Sequence, residues 1–305
     1  MPRVAREVLP TLFALGAIWG LTPALGKRLI LSGGWPPLLV ALAAAAGSAA
    51  ILLLVCRARG QAVPWDRAHL RHYAVAGVSS LALANFFALT SLQYAPAGLF
   101  ALLIPLSPML TVLFAAVIGL ERPSLGRLAG TALGLAGVAL AMAPGAALPE
   151  PRLLPWALLM TLTPVCYAVS NVAAVRLAPQ GTPPLPLAAG TLCAGAAGLL
   201  LLAVPTGQFR LPPGLGGWVA LIAPLQAGLT ALAYILYFRS LAARGGVVTS
   251  QVGYIVTMAG LLWGFLLFGE VPGWLTIPAA GLVFAGLALV TMRRPVPAPV
   301  QPEAR

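Results

Sequence analysis

Ten apolar stretches follow one another along this chain, at 9–30, 36–56, 72–92, 96–119, 124–143, 154–177, 184–204, 217–239, 246–269 and 272–292. A helix needs about 20 apolar residues to cross the ~30 Å hydrocarbon layer of a bilayer. It also satisfies its own backbone polar groups, which lipid cannot do. The pattern therefore predicts an all-α membrane protein of ten transmembrane helices. Glycine, proline or charge separates the stretches, as in Gly33-Gly34-Trp35-Pro36-Pro37, Arg57 to Arg71, Glu121-Arg122-Pro123, Arg244-Gly245-Gly246 and Glu270-Val271-Pro272. Composition agrees, because 60% of residues are hydrophobic and 8% charged. A water-facing surface needs about a quarter, so a soluble enzyme is excluded. The 33 glycines and 29 prolines would signal disorder in a polar chain, but membrane helices tolerate both.

The net charge of +12 invites a nucleic-acid reading. The basic residues stand singly between apolar runs, however, as topology signals do. No nucleic-acid partner is expected. With the N-terminus in the cytoplasm and ten alternating helices, 14 of the 18 basic residues fall inside, and only Lys27, Arg28, Arg152 and Arg210 fall outside. Both termini are thus expected in the cytoplasm. Arg3 and Arg6 precede the first run, but no cleavage site followed by a polar chain comes after it. It reads as a retained helix. Cys56, Cys166 and Cys193 lack ligand spacing and read as small core residues; no metal site is expected.

Displacing the sequence by 149 residues superposes Glu121 on Glu270, Pro123 on Pro272, Lys27 on Arg176, and Gly137 with its neighbours on Gly286 with its own. Two units follow, 1–145 with five helices and 150–294 with five more. A cytoplasmic tail at 295–305 is expected to be disordered. Because five is odd, the second unit enters the membrane from the opposite side. Such an inverted five-plus-five repeat is a recurring transporter design, with substrate bound near the midplane between the halves.

The segment Pro96-Ala-Gly-Leu-Phe-Ala-Leu-Leu-Ile-Pro105-Leu-Ser-Pro108, running to Gly119-Leu-Glu121-Arg-Pro123, resembles the fourth helix of EamA-type members of the drug/metabolite transporter superfamily. Trp19-Gly20 followed by Lys27 resembles the first helix, and Gly130 to Leu140 the fifth. Leu267-Phe-Gly-Glu270 with Gly281 to Leu289 resembles the same features in the second copy. The resemblance implies ten helices, an inverted repeat and transport of small metabolites, often export of amino acids. Pro108 meets Thr257 at the repeat offset, where the family often has a second proline. Helix nine is accordingly expected to be less kinked than helix four.

Polar groups within membrane helices face a cavity or a partner helix. Gln226, Thr230 and Tyr234 share one face of helix eight; Tyr167, Ser170 and Asn171 share one face of helix six; Ser250, Tyr254 and Thr257 share one of helix nine. Asn85 stands in helix three and Trp19 in helix one. Together they form the candidate substrate lining, which carries no fixed charge. It suits a neutral or zwitterionic solute, though each residue could equally bond helices together. Lys27 and Arg176 are candidate vestibule charges for a substrate carboxylate, with snorkelling as the plainer role. Glu121 and Glu270 either carry a coupling proton or cap the helix that follows. Pro105 and Pro108 are candidate hinges. His69 and His72 read as part of a basic loop. No phosphate-binding loop, cofactor site or paired catalytic carboxylates are present in the sequence. The expectation is a multi-pass inner-membrane secondary transporter in the lipid bilayer, exporting small-molecule substrates, amino acids or similar small metabolites, by alternating access. A broad-specificity drug exporter, a metabolite importer and a non-transporting scaffold are the competing readings.

Overall fold

The computed structural model describes residues 2–120, 124–143, 145–179, 181–212, 221–250 and 252–291. Among them the chain is helical throughout, apart from connecting turns. We label the helices α1 (Pro2–Gly33), α2 (Pro37–Ala58), α3 (Arg67–Leu92), α4 (Ala97–Val117), α5 (Leu125–Ala141), α6 (Pro151–Leu177), α7 (Pro184–Ala203), α8 (Ile222–Ser250), α9 (Val252–Phe268) and α10 (Thr276–Thr291). Five of them (α2, α3, α4, α6 and α7) are long and apolar enough to cross a membrane. Shorter apolar helices accompany them at Leu125–Ala141, Ile222–Tyr237, Val252–Phe268 and Thr276–Thr291. Phe13, Leu54, Leu201 and Ile277 stand exposed on the outside of the bundle, where hydrocarbon rather than water is their natural solvent.

Each irregularity has a local cause. α4 is interrupted between Leu103 and Leu106, because Pro105 lacks the N–H that would continue the ladder. α6 is interrupted at Thr161, one turn before Pro164 for the same reason. In α3, Val78–Leu83 is wound as a π-helix. Beside it the Ala76 carbonyl accepts hydrogen bonds from Ser80 Oγ at 2.7 Å and from Ser170 Oγ of α6 at 3.2 Å.

Two sequence expectations are corrected. Arg244-Gly245-Gly246 is not a break, since α8 continues to Ser250. A glycine costs a helix only about 1 kcal/mol, less than freeing backbone groups in lipid. His69 and His72 are not in a loop. Asp66 caps α3 by accepting from the amides of Ala68 at 3.0 Å and His69 at 3.3 Å, so the helix starts at Arg67 and takes both histidines into its first turns. His69 Nε2 also lies 2.7 Å from Thr182 Oγ1, ahead of α7.

Small residues set the helix contacts. Lipid tails are as apolar as leucine, so helices associate through close van der Waals approach. A Cβ on Gly20 of α1 would lie 2.8 Å from the Gly260 amide nitrogen of α9, and one on Gly260 would lie 2.3 Å from Ala101 Cβ of α4. The α5–α10 contact is reciprocal at the repeat offset. Gly137 abuts Ala279 and Val283, while Gly286 abuts Gly130 and Gly134. Rising numbers on α5 meet falling numbers on α10, so these two helices run antiparallel.

A Cβ at position 286 would sit 2.5 Å from the Gly130 oxygen and 2.7 Å from the Gly134 nitrogen, both backbone atoms. Gly286→Val is expected to destabilise the protein by about 1–3 kcal/mol through overpacking, read as a lower melting temperature in detergent. Gly281→Val, which meets nothing within 4 Å, is expected to melt like the parent.

Candidate functional site

α4 begins after Pro96, which offers no side-chain acceptor to the helix's first amides. Those N–H groups have no partner inside the helix. Glu270 supplies one from the other half of the chain. Its Oε1 accepts from the Ala97 amide at 2.8 Å and its Oε2 from the Gly98 amide at 2.9 Å. Gly269, at φ +64°, ends α9 and turns the chain, and the Glu270 amide donates back to the Gly264 carbonyl at 3.3 Å. Gly264 leaves room for the carboxylate, since a Cβ there would lie 2.6 Å from Oε2.

Lys27 of α1 balances the charge. Its Nζ lies 2.7 Å from Glu270 Oε1, donates to the Ala95 carbonyl at 2.9 Å and sits 4.8 Å above the Phe268 ring centroid. Both side chains are largely enclosed, 9% and 16% exposed. A cavity of about 100 Å³ adjoins the pair, walled by Pro96, Leu99, Ala147, Leu261 and Pro272 among others. Positive helix terminus, carboxylate and ammonium thus meet in one neutral cluster, which draws on α1 and α4 from one half and α9 from the other.

This alters two expectations. Lys27 does not snorkel; it is buried and committed to Glu270. Glu270 is a cap, but of α4 and not of α10, the helix that follows it. The chain leaves α9 through a glycine turn that points the carboxylate back into the bundle. Glu121, the repeat equivalent, lies outside the described residues. Arg176 is exposed at the end of α6.

Further predicted groups lie on α1, α6 and α8. Trp19 packs tilted against Tyr237 of α8, with ring centroids 5.3 Å apart, and Tyr234 neighbours both Tyr237 and Tyr167 of α6. Asn171, exposed on α6, donates from Nδ2 to Ser107 Oγ at 3.3 Å and to Thr111 Oγ1 at 3.1 Å, both on α4. Gln226 bonds the Thr22 carbonyl of α1 at 3.1 Å, while its Oε1 is enclosed without a partner among the described residues. Thr230 is half-buried on the same helix.

The other predicted lining residues bond to backbone carbonyls. Thr257 donates to the Ala101 carbonyl at 3.0 Å, Tyr254 to the Phe284 carbonyl at 3.4 Å, and Ser170 to Ala76 of α3. Asn85 bonds Leu81 of its own helix at 2.8 Å. The side chain of Ser250 lies outside the described residues. Pro105 marks the break in α4, and Pro108 follows within its second half. Tyr237, Ser107 and Thr111 were not predicted. Tyr237 follows Tyr234 by three residues, a spacing that could have revealed it.

An all-helical chain with five strongly apolar helices is consistent with a membrane protein, and the comparisons identify it as a multi-pass inner-membrane transporter. The chain belongs to the EamA-like transporter family, whose model matches residues 8–143 and again residues 154–292, giving two EamA repeats. It is 27% identical, over 315 residues and 98% of each chain, to the protein described as uncharacterized inner membrane transporter YedA in Escherichia coli strain K12, and equally to the same protein in two further strains. A protein crystal structure at 26% sequence identity resembles it with a TM-score of 0.60, covering 90% of this chain and 96% of the other.

Lys27→Met leaves Glu270 enclosed with no counter-charge and is expected to cost about 3 kcal/mol, measured by thermal unfolding in detergent. Exchanging the charges, Lys27→Glu with Glu270→Lys, is expected not to restore stability. A lysine at 270 cannot accept from the Ala97 and Gly98 amides, so recovery by the exchange would show that the cap contributes nothing.

Proposed function

We propose that the chain is a secondary transporter that exports amino acids or similar small metabolites by alternating access between two inverted halves, 1–145 and 150–294. In this reading ten helices span the membrane and both termini are cytoplasmic. The carrying observation is the relative placement of the two clusters. The Lys27–Glu270 cap joins the halves near one end of α1, whereas Trp19 lies eight residues below it, ~12 Å along a helix. The cap then closes the outer side above an aromatic and hydroxyl belt that solute reaches from the cytoplasm. The reciprocal, antiparallel α5–α10 contact supports the inverted relation, as does the double family match. Amide, hydroxyl and aromatic groups without a fixed charge favour a neutral or zwitterionic solute.

Asn171, Tyr167, Tyr234, Gln226 and Trp19 are the proposed substrate contacts; Thr257, Tyr254 and Ser170 hold helices together.

Reconstitution into liposomes with labelled amino acids, with and without a pH gradient, tests the reading. At least one amino acid is expected to move, and faster under a gradient; a folded protein that moves none refutes it. Tyr234→Ala and Gln226→Ala are each expected to slow transport by about fivefold to tenfold, the worth of a lost polar contact, at unchanged membrane abundance. Unchanged rates for both would remove α8 from the site.

A further inference from the structure

We infer that the turn between α2 and α3 is a binding site for a phospholipid headgroup, one that pairs a phosphate with a hydrogen-bond donor. The inference goes beyond the transport reading and does not depend on it. Gly60, at φ +65°, ends α2: its amide donates to the Arg57 carbonyl at 3.1 Å, and that of Gln61 to the Cys56 carbonyl at 2.9 Å. This glycine-terminated turn folds the chain back under the helix end. A groove of about 440 Å³ results, lined by Leu53, Cys56, Arg57, Gln61, Val63 and Trp65.

The groove is built of complementary parts. Arg57 is exposed and offers a cation for a phosphate. Gln61 lines the groove, and its Oε1 is enclosed without a hydrogen-bond partner among the described residues, so a rotation of this side chain turns an unpaired acceptor toward a ligand's donor. Leu53, Cys56 and Val63 form an apolar wall, and Leu54 beside them is exposed on the flank of α2. Trp65 is 51% exposed, yet held by a T-shaped contact with Tyr73 at 5.7 Å. A half-exposed tryptophan at the end of an apolar helix is an interfacial anchor.

Residues 57–71 hold four arginines and one acid, Asp66. Desolvation raises the Asp66 carboxyl, but the hydrogen bonds from His69 and Ala68 together outweigh it and keep the group below the usual carboxylate range. That carboxylate is spent on the α3 cap, so the segment presents excess positive charge at the bilayer surface. A soluble phosphate would answer Arg57 but leave the apolar wall uncovered. A phospholipid answers both, and a glycerol hydroxyl or an ethanolamine ammonium supplies the donor that Gln61 lacks. Phosphatidylcholine carries the phosphate without the donor.

The test is lipid retention on the purified full-length protein, measured by native mass spectrometry from vesicles of phosphatidylglycerol, phosphatidylethanolamine or phosphatidylcholine. Phosphatidylethanolamine is expected to be retained about fivefold better than phosphatidylcholine, the worth of one hydrogen bond, with phosphatidylglycerol at least equal to it. Gln61→Leu is expected to erase that preference, and Arg57→Gln to weaken all three lipids about fivefold. Arg71→Gln, outside the groove lining, is the control for diffuse charge. Equal losses for Arg57→Gln and Arg71→Gln, or no discrimination between the two zwitterionic lipids by the parent, would overturn the site. Displacement of lipid by millimolar glycerol phosphate would assign the groove to a soluble phosphate and overturn it as well.

Discussion

A helix that begins inside a bundle must find acceptors for its first amides, and here that requirement is met from a distance. α4 opens on Pro96, a residue with no acceptor side chain, and the carboxylate of Glu270 takes the amides of Ala97 and Gly98. An isolated carboxylate in such surroundings is costly, and so is an isolated ammonium. Joined to each other the two side-chain charges cancel, and the positive helix terminus lies against the carboxylate. The ends of α1, α4 and α9 are therefore placed by one electrostatic condition that no single helix satisfies alone.

Below that cap, attraction between helices comes from closeness rather than from charge. Gly16 and Gly20 on α1, Gly260 on α9 and Ala101 on α4 let three backbones approach until a methyl group would collide. Dispersion contacts weaken steeply with distance, so such interfaces either fit or separate. They do not deform by degrees. The cap and the glycine contacts thus cooperate: the small residues bring α9 near enough to α4 for Glu270 to reach its amides, and the carboxylate fixes how far α9 can slide.

Much of this was legible in the sequence, and the remainder has identifiable reasons. Among the described residues the apolar runs are mainly helical, because burying backbone groups in lipid leaves the chain little alternative. The pairing of Glu121 with Glu270 and of Lys27 with Arg176 was visible as a constant offset. That Lys27 touches Glu270 was not, because the two residues are 243 positions apart and their meeting depends on how the halves pack. Glycine as a breaker misled at Gly245-Gly246, where its propensity cost is small beside that of interrupting a helix in lipid. His69 and His72 were misplaced because hydropathy begins α3 at residue 72, whereas the cap begins it at Asp66. Trp19, Tyr167 and Asn171 stood as lining candidates in the sequence beside Thr257 and Ser170, because a polar residue within a span marks either a group that meets solute or one that bonds a neighbouring helix, and spacing does not tell the two apart.

The choice of lysine at position 27 carries a further consequence. An ammonium is a compact charge whose three donors point in different directions, whereas a guanidinium is a planar fork suited to one paired acceptor. Lys27 uses that freedom, meeting a carbonyl of the first half, a carboxylate of the second and the face of Phe268. Its repeat equivalent is Arg176, exposed at the end of α6. The two EamA repeats therefore carry different chemistry at corresponding positions. In the alternating-access cycle proposed above, opening those ends in turn meets unequal resistance at the two faces, and a transporter with unequal faces has a preferred resting state even without a gradient.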